Sequence, residues 1–138
     1  MNRRIEIVFD ASGSMSQRLG NKTKVEIAKK IFSDEILPQI NNESNVYLRV
    51  LPPNCRLKSS SILLSNNQSE RALEINKIIT NGSRTPLYKT IKEAIDDSIS
   101  GSVDELKLII LSDGGDNCSS KINEVIDWNK IKESNLLG

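Results

Sequence analysis

The chain contains no histidine. A Ser-His-Asp or Cys-His nucleophilic apparatus is therefore excluded, and so is any imidazole-based metal site. Aromatic residues make up only 4% of the chain, too few for a platform on which single-stranded nucleic acid stacks. Neither sign of charge prevails: 19 basic side chains face 18 acidic ones, so no long-range field draws nucleic acid or an anionic membrane. Long apolar runs are missing as well. Leu106 to Leu111 falls far short of a membrane span, and Met1-Asn2-Arg3-Arg4 leads straight into a strand pattern instead of a signal-peptide core. These features point to a cytoplasmic protein, unless a leader has been removed, with no nucleic-acid or membrane partner. Cysteine is scarce. Cys55 and Cys118 lie far apart without Cys-x-x-Cys spacing, and by themselves they read as two unpaired thiols in a reducing compartment.

What is present begins with Ile5-Glu6-Ile7-Val8-Phe9-Asp10-Ala11-Ser12-Gly13-Ser14-Met15. A hydrophobic strand runs into a loop that carries one carboxylate and two hydroxyls at alternating positions. Asp10, Ser12 and Ser14 can set three hard oxygen atoms around one small cation, which suits Mg²⁺, Mn²⁺ or Ca²⁺ and not zinc.

The 138 residues suit a single domain with its own core. Gln17 to Lys22 is polar, contains Gly20 and reads as loop. Thr23 and Glu26 have capping-box spacing, ahead of a helix with Val25, Ala28, Ile31, Phe32 and Ile36 on its inner side and an end near Leu37, before Pro38. Val46 to Leu51 alternates as a strand closed by Pro52-Pro53, and Ser61 to Leu64 reads as a short strand at a sheet edge. Ser69 is placed to cap a helix that buries Ala72, Ile75, Ile78 and Ile79. Thr85-Pro86 has the form of a helix start, with Leu87, Ile91, Ala94, Ile95 and Ile99 as its buried stripe. Leu106 to Leu111 is apolar on both faces, as a buried parallel strand is. It is followed by the turn Ser112-Asp113-Gly114-Gly115-Asp116-Asn117 and a last helix over about 120–133, with Ile122, Val125, Ile126, Trp128 and Ile131 inward.

Strands alternating with helices imply an α/β fold, a doubly wound, mainly parallel sheet with helices on both faces. Such sheets bind ligands at the carboxyl ends of their strands. Asp10 and Asp113 both follow a strand, so both can line one crevice. Taken singly, Ser12 and Ser14 are turn residues, Thr85 is a helix cap and Asp113 makes an Asx-turn; Asp116 reads as solvated and Met15 as packing.

In combination, Asp10-x-Ser12-x-Ser14, Thr85-Pro86-Leu87 and Ser112-Asp113-Gly114 resemble the metal-ion-dependent adhesion site of von Willebrand factor type A domains. The three parts occur in order, each in fitting structural context, and the resemblance covers nearly the whole chain. It implies a metal set of Asp10, Ser12, Ser14, Thr85 and Asp113. Ser12 and Ser14 would bind Mg²⁺ (or Mn²⁺ or Ca²⁺) through their hydroxyls, Thr85 directly or through water, and Asp10 and Asp113 mainly through coordinated waters. It also implies a protein-binding module, not an enzyme, whose partner offers a Glu or Asp carboxylate to complete the metal shell. Some bacterial members carry cysteines where Cys55 and Cys118 fall, so the resemblance also implies a bridge between them and, with it, an oxidising compartment.

A full domain of that family has two further strands, whereas this chain stops where the next would begin. The expectation is a single, C-terminally incomplete domain, or a homodimer formed through the sheet edge left open at Leu106 to Leu111. Two other functions compete. One is a metal-dependent phosphohydrolase with Asp10 as nucleophile, although Ser12 stands where haloacid-dehalogenase-type phosphatases place a second Asp. The other is a metal-free interaction scaffold.

Overall fold

Strand β1 (Arg3–Phe9) runs up the middle of the molecule. Its alternation sends Ile7 and Phe9 to one face and Val8 to the other, and all three are fully buried, as a period-two pattern between two packed layers requires. The computed structural model of the chain describes residues 2–119; the helix expected over 120–133 lies outside them.

After β1 come a 3₁₀ turn, Gly13–Ser16, and a small antiparallel hairpin of β2 (Arg18–Leu19) and β3 (Lys22–Thr23). The segment read from sequence as loop is therefore paired, and Gly20 supplies the positive φ of 71° in its turn. Helix α1 (Lys24–Ile31) follows, and the Thr23 side chain accepts the amide of Glu26 as the capping pattern implies. Helical winding continues through a π turn, Phe32–Ile36, and a 3₁₀ turn, Leu37–Gln39, so it outlasts the expected stop near Leu37. Phe32 and Leu37 face the core, but Ile31 is exposed, against expectation.

Strand β4 (Val46–Val50) pairs parallel with β1, and the short β5 (Ser61–Leu63) pairs antiparallel with β4 at the edge. Helix α2 (Gln68–Asn76) is capped by Asn67, whose side chain accepts the Glu70 amide, and not by Ser69. It ends before Ile78, and Ile79 is 73% exposed instead of buried. Helix α3 (Leu87–Ser100) buries Leu87, Ile91, Ala94 and Ile95 as its periodicity predicts. Strand β6 (Glu105–Leu111) pairs parallel with β1 on the side away from β4.

The sheet order is β5-β4-β1-β6, parallel except for β5. One core joins Ile7, Phe9 and Leu48 to Phe32 and Ile75 on the α1–α2 side. A second joins Val8 and Leu51 to Leu87, Ile91 and Ile95 under α3. This is the mainly parallel, two-faced α/β architecture expected. β6 departs from the expected strand buried on both faces: only Leu106 is buried, and Ile110 is 45% exposed, since among the described residues β6 has a neighbour on one side alone.

Two buried ionic arrangements have no counterpart in the sequence reading. Glu6 and Arg49, both fully buried, pair at 3.0 Å between the central strands, and Arg49 also reaches Asp97 at 2.7 Å and the Ser59 hydroxyl at 3.0 Å. Arg71 is equally buried and donates to the carbonyls of Ser65 and Ser44 at 2.6 and 2.8 Å. Burial lowers its pKa.

Candidate metal centre

β1 and β6 end side by side, with the Asp10 amide donating to the Leu111 carbonyl at 2.9 Å. Their parallel pairing brings the Asp10 loop and the Asp113 loop to one end of the sheet. Asp10 is fully buried. Its Oδ1 accepts the Ser12 amide at 2.9 Å and its Oδ2 accepts the Ser112 hydroxyl at 2.8 Å, so this one carboxylate ties the two loops together. The 3₁₀ turn then swings Ser14 back until its Oγ lies 3.1 Å from Ser12 Oγ.

Asp113 stands in the adjoining loop, after β6. Partial burial pushes the Asp113 carboxyl up, but hydrogen bonds from Lys24 and Ser14, with the charge of Lys24 and Asp113's own amide, outweigh it and hold its pKa below the ordinary value. Lys24 Nζ stands 3.1 Å from Asp113 Oδ2. Beside the pair lies an open groove of about 400 Å³ whose walls include Met15, Ile27, Ile110 and Leu111.

Thr85 reaches the same region by another route. A parallel bridge joins Ser12 to Gly82, with the Gly13 amide 2.7 Å from the Gly82 carbonyl. On the other side, the Thr85 amide donates to Asn117 Oδ1 at 2.7 Å and its carbonyl accepts the Asn117 amide at 3.3 Å. Thr85 is not the cap of α3, a correction to the single-residue reading. Pro86 holds the cap position and no side chain there makes the capping bond. The cap comes from a distance: Asp116 Oδ2 accepts the Tyr88 amide at 2.7 Å. Asp116, read as solvated, instead braces the start of α3, while its Oδ1 gathers the amides of Cys118 and Ser119 at 2.6 and 2.7 Å.

Cys55 and Cys118 are joined in a disulfide, with their Cα atoms 5.6 Å apart. This overturns the reading of two free thiols and agrees with the pairing that the family resemblance implies. The bridge ties the loop after Asp113 to the segment after β4. That segment also holds the Thr85 loop, since the Pro53 carbonyl accepts the amides of Ser83 and Arg84 at 3.1 and 3.3 Å.

Asp10 thus holds the Ser12 amide and the Ser112 hydroxyl, the Ser12 and Ser14 hydroxyls lie side by side, Asp113 stands in the adjoining loop, and Thr85 is tied to that loop through Asn117. The donor set is oxygen throughout, three hydroxyls and two carboxylates, and it fits a hard divalent ion that keeps several waters. Among the described residues no group of three or more His, Cys, Asp or Glu stands together as a metal cage, so a cation here would rely on hydroxyls and water. Sequence reading gave no separate role to Ser112, Asn117 or Lys24. Only Lys24 carried a signal: a lysine opening a helix opposes the helix dipole.

The sequence matches no protein-family model and no curated protein. Solved structures do resemble the fold. One is BatB from Bacteroides thetaiotaomicron, described as a conserved hypothetical protein, with a TM-score of 0.54 and 17% identity over 81% of this chain and 56% of that one. Another is an aerotolerance-related membrane protein from Bacteroides fragilis NCTC 9343, bearing multiple mutations to serines, with a TM-score of 0.50 and 16% identity over 76% of this chain and 52% of that one. The chain spans about half the length of each. The likeness is one of fold, a von Willebrand factor A-like α/β architecture.

Proposed function

We propose that the chain is a divalent-cation-dependent protein-binding module. The observation that carries this reading is the gathering of the Asp10 carboxylate, the Ser12 and Ser14 hydroxyls 3.1 Å apart, and the Asp113 loop at adjoining strand ends. Ser12 and Ser14 would hold Mg²⁺ or Mn²⁺ through their hydroxyls, and Thr85 directly or through water. Asp10 and Asp113 would orient the hydroxyls and accept hydrogen bonds from metal-bound waters. When bound, the ion would supply a Lewis-acidic position short of direct negative charge, attractive to a Glu or Asp of a partner protein.

The setting of Asp10 supports binding over phosphoryl transfer. A nucleophilic carboxylate needs an oxygen open to its substrate. Asp10 is fully buried, with a hydrogen bond on each oxygen.

The test is a Mn²⁺ soak of crystals of the chain. An anomalous peak beside Ser12 and Ser14, lost in Asp10→Ala, is the expected result. No peak at high Mn²⁺, in a loop that packing leaves open, would reduce the protein to a metal-free scaffold.

A further inference from the structure

We propose that Lys24 is a tethered cation that competes with a divalent ion for Asp113 and thereby sets the affinity of the centre. The inference rests on the metal-dependent reading above.

Lys24 Nζ lies 3.1 Å from Asp113 Oδ2 and 3.1 Å from Gln17 Oε1. The two ion-paired side chains are 23% and 19% exposed, so bulk water screens their charges less than it screens a surface pair. Helix stability does not account for Lys24. It is the first residue of α1, at the end where the helix dipole disfavours an ammonium, and Thr23 already supplies the cap. The side chain instead extends out of the helix to a carboxylate 89 positions away in sequence.

The consequence is electrostatic. Asp113 is the more open of the two site carboxylates, and one positive charge already balances it. A divalent ion arriving at the hydroxyls of Ser12 and Ser14 approaches that ammonium, because the parallel pairing of β1 with β6 sets the Asp113 loop beside theirs. The ion must either displace Nζ from Asp113 or bind beside a like charge, and both weaken binding. Gln17, the second acceptor of Nζ, offers a resting place for a displaced ammonium.

The experiment is a calorimetric titration of the full chain with MnCl₂, comparing wild type, Lys24→Gln and Lys24→Arg. Removing the charge should tighten Mn²⁺ by about tenfold at low ionic strength. The gain should shrink at high salt as the repulsion is screened. Lys24→Arg should keep the wild-type affinity. In an Asp113→Asn background, Lys24→Gln should lose most of its effect, because the two residues act as one coupled pair.

Tighter binding in Lys24→Gln supports the inference, as does binding seen in that variant alone. Unchanged or weaker binding beside a wild type that takes up Mn²⁺ overturns it, assigns Lys24 to positioning Asp113, and leaves the metal reading standing. If neither chain takes up Mn²⁺ while both show a folded circular dichroism spectrum, the metal reading fails and this inference falls with it.

Discussion

The amide of Gly13 donates to the carbonyl of Gly82 at 2.7 Å, and a Cβ built on Gly13 would lie 2.9 Å from that same oxygen. Backbone packs on backbone there, between the loop of Ser12 and Ser14 and the loop that leads to Thr85. Gly13→Ala should therefore cost about 1–3 kcal/mol as the loops are forced apart. It should also weaken Mn²⁺ binding, because the hydroxyls separate. Urea unfolding and a Mn²⁺ titration check the two effects, and wild-type values in both would show that the loops yield freely.

The Glu6–Arg49 pair should behave as a buried ion pair does. Arg49→Met strands the Glu6 carboxylate with Arg4, at 3.2 Å, as its remaining ionic partner, and should cost roughly 3–5 kcal/mol. Replacing both residues, Glu6→Leu with Arg49→Met, should recover much of that loss. Denaturant midpoints of the single and double variants decide the matter; equal losses in the two would mean that packing, not charge, dominates.

Asp116 should act as the cap of α3 although it belongs to another loop. Asp116→Ala should lower stability by about 0.5–2 kcal/mol and speed hydrogen exchange at the Tyr88 amide. Unchanged exchange at that amide would remove the capping role.

The Cys55–Cys118 bridge spans a sequence separation of 63. In the chain-entropy account, reducing it should destabilise the domain by about 4 kcal/mol. A comparison of urea midpoints with and without reductant measures this directly. Thiol titration of the unfolded, unreduced chain should find no free thiol.

Periodicity made most of the fold legible. The alternation of Ile5 to Phe9 and the stripe of Leu87, Ile91, Ala94 and Ile95 each have one physical solution in a layered α/β domain, and both elements lie where expected. Element ends were less legible, because they rest on single side chains: Asn67 and Ser69 are both good caps, and the helix uses the first. Ile31 and Ile79 continue an apolar pattern past the point where the core ends, so counting from the pattern buries them wrongly. At the site, the residues with ligand chemistry could be named from type and spacing. Those that brace them could not. Asn117, Asp116 and Ser112 act on Thr85, Tyr88 and Asp10 through separations of 32, 28 and 102 positions, and no local pattern encodes contacts of that range. Arg71 was hidden for the same reason, since apart from Gln68 Oε1 its partners are main-chain carbonyls, which every residue has.

That separation between Asp10 and Ser112 bears on how the protein is made. Loop closure over such a span is slow compared with the formation of a local helix. Helix α3 can wind early, but its first turn stays uncapped until β6 docks on β1 and delivers Asp116. On a ribosome, a nascent chain that has emerged only through α3 already contains Asp10, Ser12, Ser14 and Thr85, yet it has no assembled centre. On the proposed reading, cation binding would appear only once β6 has docked, and its appearance during refolding would time the arrival of that strand.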